Sequence, residues 1–78
     1  MELHEYNVLD NKTKACLLAE KGYYLLSRYE GQYLINLFYL HRFYVEVWYL
    51  KDADKLQKII TFQNHNMLDP YLNQIRIL

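Results

Sequence analysis

One cysteine (Cys16), one proline (Pro70) and two glycines (Gly22 and Gly31) are all that these 78 residues hold of the side chains that staple, kink or release a backbone. Without a second thiol an intramolecular disulfide is excluded, so a reducing compartment is expected, and the thiol's remaining use is a bridge between two chains. The glycines are isolated, which excludes a phosphate-cradling loop. Surplus charge is missing as well: nine basic residues meet nine acidic ones for a formal net charge of zero. Nothing therefore draws the chain as a whole to nucleic acid or anionic lipid. No apolar run approaches the roughly 20 residues of a membrane span. The first turns of sequence carry Glu2, Glu5, Asp10 and Glu20, so they lack the basic start and apolar centre of a secretory signal. The expected location is cytoplasmic, with no membrane contact.

What is present is apolar and aromatic. A hydrophobic content of 53% with 23% charged residues is too apolar for disorder, and 17% of the chain is Phe, Trp or Tyr. Residues 1–78 have room for one domain. A chain of this size buries only about 60% of its unfolded surface, which leaves little net stability from a lone core. Dense aromatic packing, oligomerisation, or both must compensate.

The order of patterns predicts an α+β fold: a four-stranded antiparallel meander with an N-terminal helix and a short C-terminal helix packed on one face. Residues 1–9 read as an extended lead-in. Asp10 or Asn11 then caps a helix over residues 11–21, whose Ala15, Cys16, Leu18 and Ala19 recur at helical spacing. Gly22 is expected to end it in the left-handed conformation. Four runs rich in Tyr, Phe, Ile, Val and Leu follow, over residues 23–30, 33–40, 43–50 and 56–62, separated by Gly31-Gln32, His41-Arg42 and the polar loop 51–54. Asp69-Pro70 supplies a cap and first-turn proline for a closing helix that carries Tyr71, Leu72 and Ile75.

Because strand side chains alternate, the turns assign residues to faces, and a slip of one residue exchanges them. One face takes Tyr23, Leu25, Leu34, Phe38, Leu40, Phe43, Val45, Val47, Leu56, Ile60 and Phe62, and is expected to receive both helices. The other takes Tyr24, Leu26, Arg28, Tyr33, Ile35, Leu37, Tyr39, Tyr44, Glu46, Trp48, Lys55, Gln57 and Ile59. Left uncovered, such a face should meet a partner or ligand. Ile35, Tyr39, Tyr44 and Trp48 are its expected interface anchors, since central aromatic residues dominate binding energy. The expected partner is a second copy or another protein subunit.

Chemistry-bearing residues are scattered. His4, His41, His65 and Cys16 match no zinc spacing, so no metal or other cofactor is expected, and Cys16 reads as a small buried residue. Asp52 and Asp54 suit their turn. The Asn64-His65-Asn66 string lacks the further ligands that nuclease chemistry needs. Glu46, among aromatic side chains, is the carboxylate best placed for acid–base work, against which stands pairing with Arg28 or Lys55. No catalytic residue and no enzymatic activity are predicted. Base stacking on the aromatic face, or a small molecule held there, is the alternative to protein association. The balanced charge disfavours nucleic acid.

Residues 31–50, in particular Phe43-Tyr44-Val45-Glu46-Val47-Trp48-Tyr49, and the later Leu68-Asp69-Pro70-Tyr71-Leu72 resemble short uncharacterised bacterial proteins with a strand-rich centre and a closing Asp-Pro helix. That resemblance, which runs from Lys14 onward, implies a shared fold and transfers no site.

Overall fold

In the computed structural model, which describes residues 1–71, the four apolar runs form one open antiparallel sheet in the order β1-β2-β3-β4. The strands are β1 (Tyr23–Glu30), β2 (Tyr33–Leu40), β3 (Phe43–Leu50) and β4 (Lys55–Phe62). Three have the predicted bounds and the fourth starts one residue earlier. Short polar breaks turn the chain at 31–32, 41–42 and 51–54. Gly31, His41 and Asp54 have φ of +59°, +57° and +50°, so at two of the three turns a residue with a Cβ occupies the left-handed region. The α+β class and the meander are those expected from sequence.

Before the sheet come two helices, α1 (Leu3–Asn7) and α2 (Asn11–Lys21). The first replaces the expected extended lead-in. The carboxylate of Glu5 accepts a 2.6 Å hydrogen bond from the Glu2 N–H, which holds Glu5 below its ordinary pKa and supplies a first turn with the partner it needs. Tyr6 then makes the short helix worth forming. It is fully buried, its ring lies 5.4 Å from that of Phe43, and its hydroxyl donates to the Lys14 carbonyl at 2.9 Å. One side chain thereby fastens α1 to both α2 and β3.

The expected α2 has its predicted bounds, with the Asp10 carboxylate accepting from Thr13 N–H at 2.8 Å. Its end differs in mechanism. Gly22 is extended, at φ −83° and ψ 157°, and what requires glycine there is space: a Cβ would lie 2.8 Å from the Leu18 carbonyl oxygen. Leu18 and Lys14 are the buried residues of α2, whereas Cys16, expected in the core, is exposed because it lies on the outer side of the helix.

Both outer strands carry a bulge, and each corrects the face assignment. Leu25 falls out of register between the pairs Tyr24–Phe38 and Leu26–Leu37. Gln57 does so between Trp48–Lys58 and Tyr49–Leu56. Each extra residue inverts the alternation beyond it. Tyr24 thus joins Phe38, at 5.8 Å between ring centroids, on the face covered by α1 and α2. Ile59 packs on that side too, while Ile60 and Phe62 move to the second face.

The closing segment is also on that second face, where a helix was not expected. A 3-10 helix at His65–Leu68 is capped by the Asn64 side chain, which accepts from Asn66 N–H at 2.9 Å, and runs into a helical turn at 69–71. Asp69, with φ −50° and ψ −43°, is already helical and not the cap. Buried Tyr71 packs with Leu37 and Phe62, so the sheet is covered on opposite sides by its two ends. The expected contributions of Leu72 and Ile75 lie outside the described residues.

Candidate functional site

The second face is built around a charge. Pairing sets Glu46 of β3 opposite Leu37 and Ile60, two residues along from Trp48, so that Glu46 and Trp48 point to the same side. The indole Nε1 donates to Glu46 Oε1 at 3.1 Å. Oε2 accepts from the Tyr71 hydroxyl at 2.6 Å and from Arg28 at 3.4 Å. Arg28 also reaches Glu30 at 3.1 Å, and its guanidinium lies 5.1 Å from the Tyr71 ring centre. Burial, reinforced by the Glu46 hydrogen bond, pushes the Tyr71 phenol well above its ordinary pKa. Arg28 Nε is buried and finds no acceptor among the described residues.

Of the two pairings weighed from sequence, Glu46 therefore takes Arg28. Glu46 is 5% exposed, and both of its carboxylate oxygens accept hydrogen bonds from neighbouring side chains. The indole of Trp48 is enclosed as well: Lys58 Nζ lies 4.2 Å and Arg28 Cζ 5.7 Å from its ring centre, with the Tyr33 ring at 5.4 Å.

The expected interface anchors are thereby divided. Ile35 is fully buried and Trp48 is 8% exposed, so neither offers an open surface. Tyr39 and Tyr44 are half-buried and packed on each other at 5.2 Å, with Tyr44 stacked on Phe62 at 5.3 Å. The expectation of an open aromatic face fails because Tyr71 and the Arg28–Glu46 pair lie across it. Exposed aromatic surface collects instead on β1, the outer strand, where Tyr23 is 71%, Tyr24 58% and Tyr29 68% exposed, with Leu25 beside them. Sequence alternation missed this concentration because it treats edge and central strands alike; the position of β1 as the first strand of a meander was the available signal.

The remaining candidates stay apart. His4 lies on α1, His41 in a turn, and His65 edge-on to Tyr44 at 6.0 Å. No three His, Cys, Asp or Glu side chains converge among the described residues. An open hollow of about 410 Å³ lies between Met1, Glu2, His41, Arg42, Phe43 and Gln63, away from Glu46. No helix among the described residues is long and apolar enough to cross a membrane. No family model, curated protein or solved structure matches the chain.

Proposed function

We propose that the chain is a non-catalytic interaction module that takes an extended segment of protein against the outer edge of β1. The observation that carries this reading is the gathering of Tyr23, Tyr24, Leu25 and Tyr29, all exposed, on the one strand that has β2 on one side and, among the described residues, no strand on the other. Edge strands present unsatisfied N–H and C=O groups that a further strand completes, and exposed aromatic side chains give such an added strand apolar surface to cover. At the opposite edge, α1 is tied to β4 through the Thr61 hydroxyl, which donates to the Asn7 side chain at 2.6 Å. Stacking of a base or a small molecule on the aromatic face, the alternative drawn from sequence, is opposed at Trp48 by the cations and the Tyr33 ring around its indole.

The test is addition of a soluble peptide of alternating Thr and Val, flanked by lysines, to the isotopically labelled chain. The reading predicts amide shifts concentrated at Ser27 and Tyr29. Shifts confined to the hollow at His41 and Arg42, or none on β1, contradict it.

A further inference from the structure

We infer that the segment added to β1 is β1 of a second copy, in an antiparallel register centred on Tyr29, so that two sheets join into one; this rests on the edge reading above. The hairpin geometry selects the backbone groups. The Gly31-Gln32 loop closes on the pair Glu30–Tyr33, so Glu30, Arg28 and Leu26 direct their N–H and C=O groups to β2. Those of Ser27 and Tyr29 point outward.

A two-fold axis pairs residue i with j and j with i, and only residues on one face stand opposite each other. That leaves few centres. An axis at Arg28 or Glu30 sets like charges directly opposite each other. One at Ser27 brings the Leu25 bulge against Tyr29 of the second copy, where the ladder is broken. An axis at Tyr29 avoids each of these conflicts. It pairs the two Tyr29 residues through outward-facing groups, and it places Arg28 opposite Glu30 of the second copy twice over. It also sets Ser27 against Gly31, which has no side chain and around whose Cβ position there is nothing within 4 Å.

Charge and exposure agree with this register. Glu30 has a side chain 57% exposed and, among the described residues, pairs only with Arg28 of its own strand, so it can face a second guanidinium. Tyr29 is held from below by Lys51, whose Nζ lies 5.0 Å from its ring centre, and remains open outward. Zero net charge adds no general repulsion. The overlap is short, from the bulge to the turn, so the dimer belongs to the small interface class, with a Kd of about 1 μM or weaker.

Sedimentation equilibrium of the intact chain, from about 1 μM to about 1 mM, measures the association directly. The proposal predicts a reversible dimer. Glu30→Lys, at an exposed position, sets like charges opposite each other twice and should weaken it about tenfold or more. Tyr29→Pro removes an N–H that points away from β2, which an edge strand tolerates, and should abolish association while the circular dichroism spectrum is kept. A chain that stays monomeric to about 1 mM yet still adds the Thr/Val peptide at β1 overturns self-pairing and leaves the edge reading standing. A dimer indifferent to both variants overturns self-pairing through β1, and a monomer that also ignores the peptide overturns the two together.

Discussion

The Tyr71 hydroxyl donates a 2.6 Å hydrogen bond to Oε2 of Glu46, joining the segment after the sheet to the third strand across 25 positions of sequence. A hydrogen bond to a carboxylate is among the stronger ones in a protein, and this one is buried at both ends. Tyr71→Phe should therefore cost about 1.5–3 kcal/mol in urea denaturation. Arg28→Met, which leaves the Glu46 charge buried without its counter-ion, should cost more, about 3–5 kcal/mol. Combining Arg28→Met with Glu46→Leu should recover part of that loss, because it removes the buried charge but leaves the Tyr71 hydroxyl and the Trp48 indole N–H without their acceptor. A double variant as unstable as Arg28→Met would show that the pair does not act as a unit.

Alkaline pH should unfold the protein through its buried phenols. Burial pushes Tyr6 up to about 12, and burial with the Glu46 bond pushes Tyr71 up as well. An unfolded tyrosine ionises near pH 10, so above that point the unfolded state holds fewer protons than the folded one. Stability from these groups is complete below pH 10 and declines as pH rises toward the folded values. Tyr6→Phe should flatten that decline when the unfolding midpoint is followed against pH, whereas an unchanged slope would remove Tyr6 from the explanation.

His41 occupies the left-handed region at φ +57° in the β2–β3 turn, where its Cβ is strained. His41→Gly should stabilise the fold by about 0.5–1 kcal/mol, or raise the thermal midpoint by about 4 °C. A lower midpoint would mean that the contact between His41 and the Phe43 ring, at 6.2 Å, outweighs the strain.

Gly22 and Gly31 should respond to alanine for different reasons. At Gly22 the added Cβ meets the Leu18 carbonyl oxygen at 2.8 Å, and relief requires moving the end of α2 away from β1, at about 1–3 kcal/mol. At Gly31 the space is empty and only φ +59° opposes the change, at about 1 kcal/mol. Thermal denaturation of both variants in parallel decides this, and a smaller loss at Gly22 would count against the close approach.

Strands β1 to β3 and helix α2 were legible in the sequence because their apolar runs end at polar pairs such as Gly31-Gln32 and at a capping Asp10. Strand pairing followed from the same alternation, which put Glu46 on one face with both Arg28 and Lys55 without choosing between them. The alternation could not reveal the bulges at Leu25 and Gln57, since an extra residue changes no composition and appears only once a strand is laid against its neighbour. Helix α1 escaped notice because Glu2 and Glu5 are unusual partners at a helix start and Tyr6 gains its burial from residues far along the chain. The same dependence on distant contacts hid Tyr71, whose hydroxyl closes the second face and leaves the edge of β1 as the exposed aromatic surface.

Site-resolved amide hydrogen exchange, followed as the protein is diluted, tests association through β1 most directly. The outward amides of Ser27 and Tyr29 should be protected when the chain is concentrated and lose that protection on dilution, while Arg28 and Glu30, bonded to β2, and the indole N–H of Trp48, bonded to Glu46, stay protected throughout. Protection at Ser27 and Tyr29 that is independent of concentration, or a concentration dependence confined to Trp48, would contradict the account.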